Sequence, residues 1–284
     1  MRPPAVARAV FHSLSPRTRS AVLRRLGYFA PWEDGFDLQP PDPAPGECTG
    51  PPDFVGIGVQ KAGTSWWYEL IVDHPRVFAR ADIHKERHYF SHFGTTPFGP
   101  AELSQYHGWF PRPPSLVTGE WTPDYLSFSW VAPLLARAAP SARLLVLLRD
   151  PVERFRSGLD FRLSQGAPDD DVTVADAVRQ GFYARSLRAY LDHFPSDQML
   201  VLQYEACAAD PAAHLNATYD FLGLEAHHPH DLRRPINVSG QKRLLDADTS
   251  RRLVDVYRSD VEDLVRLVPT IDLDLWPHFA RPAG

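Results

Sequence analysis

The segment FVGIGVQKAGTSWWYEL, residues 54–70, constrains the fold most strongly. Its first six residues form an apolar run, which ends in a loop that holds Gly58, Lys61 and Gly63, and a helical stretch begins near residue 64. A buried strand followed at once by a helix is the unit from which parallel α/β sheets are built. Because such a loop joins free backbone N–H groups to the positive end of a helix, it predicts a site for a phosphate-like anion.

Two more apolar runs of strand length follow: ARLLVLLR at residues 142–149 and QMLVLQYE at residues 198–205. Both runs are nearly continuous, as expected for parallel strands that are buried on both faces. We predict a single α/β domain with a P-loop-like parallel sheet flanked by helices. The helices are predicted at residues 64–73, 129–139, from Asp150 and Pro151 onward, 181–194, 211–224 and 246–268, and residues 80–115 are predicted to be rich in loops.

The N-terminal part differs in composition from the rest. Residues 1–30 are basic and partly amphipathic, which is typical of short surface helices or a mobile arm. Residues 37–53, DLQPPDPAPGECTGPPD, are rich in proline and favour an extended linker. We therefore divide the chain into an arm with a linker, residues 1–52, and a folded domain, residues 53–284.

Charge and composition narrow the class of protein. The hydrophobic fraction of 44% allows a sizeable core, and the net charge of −5 argues against a general nucleic-acid binder. Cys48 and Cys207 have neither metal-ligand spacing nor a framework of bridges, and free thiols in a reducing cytosol are expected. No apolar run reaches the roughly 20 residues of a transmembrane helix, and no secretory signal is evident. We expect a cytoplasmic protein without a transmembrane segment.

The residue order in the lysine loop disagrees with two common nucleotide-binding motifs. In GVQKAGTS the lysine precedes the second glycine, whereas the nucleotide triphosphatase motif G-x-x-x-x-G-K-[ST] places it after. The dinucleotide motif G-x-G-x-x-G would need glycine at Lys61. A kinase-like nucleotide phosphotransferase is therefore a distant alternative, and an ordinary turn with a solvated lysine is another.

A second basic motif, LLVLLRDPVERFRSGLDFRL, occupies residues 144–163. Arg149 ends a predicted strand, where ligands of open α/β sheets bind, and Ser157 lies about two turns into the next helix. Together they provide a charged fork and a hydroxyl group for a second phosphate. The helix carries further arginines that cannot all point into one pocket: Arg154, Arg156 and Arg162.

The two motifs together, GVQKAGTS and RDPVERFRSG, resemble the 5′-phosphosulfate loop and the 3′-phosphate motif of sulfotransferases that use 3′-phosphoadenosine 5′-phosphosulfate (PAPS). The resemblance runs from about Phe54 to the end of the sequence. It is nearest to the Golgi heparan-sulfate branch and its bacterial relatives. Other segments are similar to that family in their order: KERHYF (85–90), GEWTPDYL (119–126), VLQYEACAADP (201–211) and FLGL (221–224).

The resemblance implies PAPS as the donor, 3′-phosphoadenosine 5′-phosphate (PAP) as the product, and no required metal. It implies that Arg149 and Ser157 hold the 3′-phosphate. The residues implied to hold the 5′ end are Gln60, Lys61, Ala62, Gly63, Thr64 and Ser65. The stretch NVSGQKR, residues 237–243, resembles a late loop over the nucleotide but is equally typical of a surface turn; its candidates are Gly240, Gln241, Lys242 and Arg243.

The resemblance also implies catalytic roles. Lys61 would meet the charge that develops on the leaving oxygen, which is usually a large catalytic contribution. Glu86 matches the carboxylate that acts as the base, and His88, with an ordinary pKa near 6.5, is the rival. A structural salt bridge is the other interpretation of Glu86. A protein that binds nucleotide without catalysis is a third functional class, against which Lys61, Glu86 and Arg149 speak.

One departure from the family bears on the acceptor. In GEWTPDYL, Trp121 stands where the glycosaminoglycan enzymes often have lysine, and the chain is acidic overall. We therefore predict a small or amphiphilic acceptor, such as a secondary metabolite or a glycolipid, sulfated on a hydroxyl group or, less readily, an amine. Sulfation of a carbohydrate polymer is the alternative. Trp66, Trp121 and Tyr125 are predicted to line the acceptor cleft, although each also fits core packing.

Overall fold

A parallel sheet of four strands forms the centre of the computed structural model, which describes residues 39–164, 167–233 and 244–280. The strand order is β2-β1-β3-β4, and every neighbouring pair is parallel. This agrees with the predicted α/β class. The strands are β1 Phe54–Gly58, β2 Gly119–Trp121, β3 Arg143–Leu148 and β4 Met199–Gln203.

Helices flank the sheet, and aspartate residues cap several of their N termini. Asp170, Asp210 and Asp246 each accept a hydrogen bond from a backbone N–H group three residues later. The α-helices are α1 Thr64–Val72, α2 Pro100–Gly108, α3 Val131–Ala138, α4 Pro151–Ser164, α5 Asp171–Arg179, α6 Tyr183–Leu191, α7 Tyr204–Ala209, α8 Pro211–Leu222 and α9 Ala247–Leu267. Short 3₁₀ turns lie at Tyr89–His92, Tyr125–Ser127, Ser196–Gln198 and Leu273–Leu275.

The carboxyl ends of the central strands determine where the candidate site lies. All five residues of β1 are buried, and Gly58 at its end is paired with Val146 of β3. Because the two strands are parallel, the loop after β1 and Arg149 after β3 emerge at the same edge of the sheet. The two sequence motifs are therefore brought together by strand pairing alone.

Four elements were not predicted from the sequence: β2, α2, α5 and α7. Strand β2 has only three residues, too few for a readable alternation, and its pairing with β1 makes it a strand. Helix α2 lies in the stretch predicted to be loops. Its signals were nevertheless present, because Pro100 begins it and the Glu102 carboxylate accepts a 2.8 Å hydrogen bond from the Gly99 N–H group.

Residues 39–53 of the predicted linker form neither a helix nor a strand in the described chain, and Cys48 pairs its backbone with Arg112. The thiols of Cys48 and Cys207 are free, the first exposed and the second buried. Over the three described ranges, no helix is both long and apolar enough to cross a lipid bilayer. The arm, residues 1–30, and the loop of residues 237–243 lie outside the described residues.

Candidate active site

The loop after β1, residues 59–63, turns through two residues with left-handed backbone. Lys61 has φ 68° and Gly63 has φ 87°. At Gly63 a Cβ atom would also come within 2.8 Å of the Tyr204 ring, so the position requires glycine. Helix α1 begins at the next residue, and among the described residues no side chain caps its N terminus. The N terminus of α1 is therefore a suitable place for an anion.

Lys61 lies half-buried between groups of both signs. Its Nζ atom is 4.5 Å from the centroid of the Phe161 ring on α4, which is a cation–π contact. Burial lowers the pKa of Lys61, and the Arg149 guanidinium lowers it further, whereas the Glu86 carboxylate acts in the opposite direction. The ammonium group is thus destabilised where it lies, and an added anion would relieve that cost.

Arg149 is held beside Lys61 by contacts on several sides. Its Nη1 atom donates a 3.0 Å hydrogen bond to the Lys61 carbonyl oxygen, and its Nη2 atom is 3.4 Å from Glu153 Oε2. The guanidinium also stands 5.2 Å from the centroid of the Tyr204 ring, and the Tyr183 hydroxyl donates to the Arg149 carbonyl oxygen at 2.9 Å. We call Lys61 and Arg149 together the cation cluster.

Two of the other arginines of α4 face helix α5. Arg154 is fully buried and donates to the Ala177 carbonyl oxygen and, at 3.3 Å, to Gln180 Oε1. Arg162 forms an ion pair with Asp176 at 3.1 Å. Both side chains join α4 to α5, so their contacts lie away from the cation cluster.

Glu153 and Arg156 form the side of α4 nearest to Arg149. Arg156 Nη2 lies 2.5 Å from Glu153 Oε2. Burial acts to raise the pKa of Glu153, but the hydrogen bond and charge of Arg156, with the charge of Arg149, outweigh it and lower that pKa. Ser157, four residues after Glu153, lies on the same face of the helix one turn further on. The joint role of Arg149 and Ser157 at a phosphate stays a prediction.

A second cluster lies where residues 84–88 pass beside β2. His88 Nε2 is 3.3 Å from Glu86 Oε2, and His88 Nδ1 is 3.2 Å from Asp124 Oδ2. Lys85 Nζ is 2.5 Å from the other oxygen, Glu86 Oε1. The four side chains form a continuous line of alternating charge, Lys85, Glu86, His88 and Asp124, which we call the acid–histidine chain.

The acid–histidine chain shifts its own protonation equilibria strongly. Burial acts to raise the pKa of Glu86, but the hydrogen bonds and charges of His88 and Lys85 outweigh it and lower that pKa to about 2. Burial acts to lower the pKa of His88, but Asp124 and Glu86 outweigh it and raise that pKa to about 10. At neutral pH Glu86 is therefore a carboxylate and His88 an imidazolium, with a proton on each ring nitrogen.

Backbone contacts hold this chain against the sheet edge. The Thr122 hydroxyl accepts from the N–H groups of Arg87, at 2.9 Å, and His88, at 3.3 Å. The Trp121 N–H group donates to the Lys85 carbonyl oxygen at 2.9 Å. His88 itself has φ 49°, a left-handed conformation that is uncommon for a residue with a side chain. The segment is thus tied down on both sides of Glu86.

The buried Glu120 on β2 accepts hydrogen bonds beside the segment of residues 84–88. Its Oε1 atom accepts from the Tyr106 hydroxyl at 2.8 Å and its Oε2 atom from the Thr122 hydroxyl at 2.6 Å. Burial raises the pKa of Glu120, although the Arg87 charge acts to lower it. This carboxylate has no exposed surface and contributes to positioning.

The predicted aromatic acceptor surface does not exist in this form. Trp121 and Tyr125 are both fully buried, so the expectation that they line a cleft is wrong. Trp121 packs against the face of β1 at Gly56, where a Cβ atom would lie 2.0 Å from its ring, and its Nε1 atom donates to the Gly58 carbonyl oxygen at 3.2 Å. Tyr125 donates its hydroxyl to Glu120 at 3.3 Å.

Trp66 is partly exposed, but it belongs to the side of the cation cluster. Its ring meets the Tyr204 ring edge-on, with 6.2 Å between the ring centroids. The Arg149 guanidinium in turn lies over the Tyr204 ring. Its Nε1 atom donates to the Leu232 carbonyl oxygen at 2.9 Å. These contacts lie near the anion site, and the place of Trp66 in an acceptor cleft stays a prediction.

Of the other predicted residues, Thr64 is buried, and Gln60, Gly63 and Ser65 are partly exposed. Ala62 is fully buried. Gly240, Gln241, Lys242 and Arg243 lie outside the described residues. Sequence reasoning missed Asp124, which lies 36 residues after His88, because nothing in the local pattern indicates a contact at that separation.

Comparison with known proteins gives a consistent result. The family model of the sulfotransferase domain matches residues 51–241. Heparan sulfate glucosamine 3-O-sulfotransferase 3B1 of Mus musculus is 32% identical over 193 residues, which cover 61% of this chain and 46% of that protein. The 3-O-sulfotransferase 6 of Homo sapiens is 30% identical over 192 residues, covering 61% and 53%. The chain thus spans about half the length of these relatives.

Solved structures show the same fold. A sulfotransferase from Alicyclobacillus acidocaldarius superposes with a TM-score of 0.62 at 22% identity, over 79% of this chain and 98% of that one. Sulfotransferase STF9 from Mycobacterium avium gives 0.53 at 11% identity, over 81% and 79%. At these identities the likeness concerns the arrangement of the backbone.

Proposed function

The chain belongs to the sulfotransferase family, and we propose that it transfers a sulfuryl group from PAPS to a hydroxyl group of a small or amphiphilic acceptor. One observation carries the proposal. Lys61 and Arg149 are held together beside the uncapped start of α1, where burial and the Arg149 charge destabilise the ammonium group. An anion close by would stabilise such an arrangement, and the arrangement fits a phosphosulfate.

Different residues of the chain suit the two ends of this donor. The N–H groups at the start of α1, with the hydroxyls of Thr64 and Ser65, suit the 5′ end, and Arg149 with Ser157 suits the 3′-phosphate. When bound, PAPS supplies an activated sulfur–oxygen bond whose leaving group is a phosphate. Lys61 provides a fixed positive charge at the 5′ end, and such a charge acts most strongly in a partly desolvated site.

Glu86 is the base in this proposal. It carries a full negative charge at every pH above its depressed pKa of about 2, so it can always accept a hydrogen bond from the acceptor hydroxyl. His88, as an imidazolium, has no free lone pair for that task. The effect of Glu86 on the pKa of Lys61 supports a position facing the cation cluster. We assign His88 the task of orienting Glu86.

The acceptor side supports a small or amphiphilic substrate for a reason other than the one drawn from the sequence. Two of the cations that the structure describes there are already neutralised, because Lys85 pairs with Glu86 and His88 lies between two carboxylates. A sulfated polymer would need dense, uncompensated positive charge, whereas a neutral hydroxyl compound would not. Trp121, although buried, still provides no cation at its position.

Sulfation of a carbohydrate polymer is the second candidate. Its support is that the relatives named above, at 30–32% identity, carry the name of heparan sulfate glucosamine 3-O-sulfotransferases. A direct competition decides between the candidates. With PAPS as the common donor, a phenol, a polyketide-type aglycone, a glycolipid and heparan sulfate are assayed at low and high salt. The first candidate predicts turnover of a small acceptor that depends weakly on salt, and the second predicts polymer turnover that falls steeply as salt rises.

Binding of the donor is tested without any acceptor. PAP, 5′-AMP, ATP and NAD are compared by thermal shift and calorimetry in the presence of a chelator. PAP should raise the melting temperature most, because a ligand that binds only the folded state stabilises it in proportion to its affinity. Equal shifts with all four nucleotides would refute a site for the 3′-phosphate.

A further inference from the structure

The segment of residues 271–280 lies beyond the residues matched by the family model and returns to the candidate site. Gln203, the last residue of β4, exchanges two hydrogen bonds with the backbone of Asp272, at 2.8 and 3.0 Å. Trp276 is fully buried and donates from Nε1 to Glu205 Oε2 at 2.9 Å. The segment is therefore fixed to the carboxyl end of the sheet, next to the strand end from which Arg149 emerges.

The last link in this attachment is Asp150, the residue after Arg149. One carboxylate oxygen, Oδ1, caps α4 by accepting from the N–H groups of Val152, at 2.9 Å, and Glu153, at 3.2 Å. The other, Oδ2, accepts from His278, from the backbone N–H group at 3.2 Å and from ring Nδ1 at 3.0 Å. Asp150 is fully buried, and its own N–H group donates to Glu205 Oε1 at 3.0 Å. His278 and the start of α4 thus share one buried carboxylate.

The His278 ring lies at the edge of the group that surrounds Arg149. Because Nδ1 faces Asp150, Nε2 lies on the opposite side of the ring, and the side chain keeps 25% of its surface exposed. The hydrogen bond and charge of Asp150 raise the pKa of His278, Glu153 adds to this effect, and burial and the Arg156 charge oppose it. Glu205 contacts the same group through Trp276 and the Asp150 N–H group.

We propose that His278 is a positioning residue for the 3′-phosphate of the donor. It acts through Asp150, which fixes the start of α4 and with it Arg149 and Ser157. Its imidazolium also adds positive charge beside Arg156. This inference rests on the proposed function, since it needs a ligand with a 3′-phosphate. It adds a residue that neither sequence motif contains.

The proposal predicts that donor affinity depends on the proton of His278. Because its pKa is raised in the folded protein, the interaction with Asp150 is fully present below about pH 6.5 and is lost as the pH rises through the raised value. A bound phosphate would raise the pKa further. PAP should therefore bind more weakly once His278 is neutral, whereas a nucleotide without a 3′-phosphate should not respond.

The test compares wild-type protein with His278→Gln by calorimetry, using PAP and 5′-AMP between pH 6 and pH 9. The PAP affinity of the variant should be about tenfold lower than that of wild type at pH 6, on the scale of one charged hydrogen bond, and the difference should shrink as the pH rises. The affinity for 5′-AMP should be unchanged throughout. Comparing proteins at each pH cancels the titration of the phosphate, which has its own pKa near 6.

His227→Gln is the matched control, because His227 forms the same kind of pair with Asp73, at 3.2 Å, near the far end of α1. It should leave both affinities at wild-type values. A second variant, His278→Lys, retains a positive charge at high pH, so its PAP affinity should fall less than that of wild type as the pH rises.

Three outcomes would overturn the proposal: equal loss of PAP and 5′-AMP affinity, which indicates general loosening; a PAP affinity ratio that does not change with pH; and no effect at all. If His278→Gln does not fold, proton uptake by wild-type protein on ligand binding, measured from pH 6 to pH 9, decides, and its maximum must be larger with PAP than with 5′-AMP. Failure of the proposed function looks different, because wild-type protein would then bind PAP no better than 5′-AMP at any pH.

Discussion

The cation cluster and the acid–histidine chain lie on two sides of one site, and they handle charge in opposite ways. In the cation cluster, Arg149 is bonded to the carbonyl oxygen of Lys61, and their like charges lie close together. In the acid–histidine chain, Lys85, Glu86, His88 and Asp124 alternate in sign, so each charge has a partner at 2.5 to 3.3 Å. Like charges therefore lie close together in the cation cluster, whereas opposite charges are paired in the acid–histidine chain.

The pKa shifts follow this difference. Burial and Arg149 lower the pKa of Lys61, which means that its charged form is disfavoured in the free protein. The pKa of His88 is raised to about 10, which means that its charged form is favoured. An anion would therefore stabilise the cation cluster further, whereas the charges of the acid–histidine chain are already paired. We infer that ligand binding energy is gained on the first side and that the second side is arranged in advance for chemistry.

Removing the Lys61 charge should have the largest effect and would separate the two clusters. Lys61→Met retains most of the side-chain length without the charge. The turnover number should fall about 100- to 1,000-fold, the range for loss of one group aimed at developing charge. Thermal melting of the free variant should show equal or higher stability, because a disfavoured charge has been removed. A variant that is both inactive and less stable than wild type would contradict the inferred repulsion between Lys61 and Arg149.

Glu86→Gln tests the other cluster. It should lower the turnover number by about 100-fold while PAP affinity stays within a factor of two, because a positioned base is lost and the contacts of Arg149 are unchanged. The exposed residue Glu69 on α1 offers a control, and Glu69→Gln should have no effect on either quantity. Stopped-flow turnover and calorimetry measure the two quantities separately. If Glu86→Gln remains active and His88→Ala does not, histidine is the base.

The two clusters also differ in how far the sequence reveals them. The cation cluster comes from two contiguous motifs, each a strand followed by a helix, so the positions of Lys61 and Arg149 follow from local pattern and parallel pairing. The strand and helix bounds at β1, α1 and β3 agree with prediction to within one residue at each end. Local information was sufficient there.

The acid–histidine chain depends on long-range contacts, and there the sequence was insufficient. Glu86 and His88 were predicted, but Asp124 joins them only because the three-residue strand β2 pairs with β1. Trp121 looked like an acceptor surface because its ring is flat and its position unusual. Its actual environment is set by the glycine at position 56 of the neighbouring strand, which leaves room for an indole ring. A pattern of residue types does not state which face of a short strand is buried.

Arg149→Ala should weaken PAP binding by more than about tenfold, equivalent to about 1.5 kcal/mol for a lost charged hydrogen bond. The pKa of Lys61 should rise at the same time, because a neighbouring positive charge is removed. Calorimetry gives the affinity, and the pH dependence of turnover reports the lysine. Arg185→Ala, an exposed position on α6, is the control and should bind PAP like wild type. Unchanged affinity in Arg149→Ala would remove the 3′-phosphate assignment.

Asp124→Asn should have the smallest effect at neutral pH and the most informative pH profile. The amide keeps a hydrogen bond to His88 but removes the charge that raises its pKa, so the turnover number at pH 7 should fall only about fivefold, or about 1 kcal/mol. In wild-type protein the stabilisation by His88 is fully present below about pH 6.5 and is lost as the pH rises toward 10. The stabilisation by Glu86 is present above about pH 4.5 and is lost as the pH falls toward 2, so only the alkaline side should change in the variant.

Turnover and melting temperature, measured from pH 5 to pH 10, should therefore both begin to decline at a lower pH in Asp124→Asn than in wild-type protein. Asp192→Asn, an exposed position next to α6, should reproduce the wild-type curves. The same experiment separates the two candidate bases, because neutral histidine becomes more abundant near pH 7 when its pKa falls. If Glu86 is the base, losing the imidazolium beside it lowers the rate. A variant that is faster than wild type at pH 7, and that stays fast when Glu86→Gln is added, would instead assign the base to His88, and the acid–histidine chain would then hold the base in its inactive, protonated form.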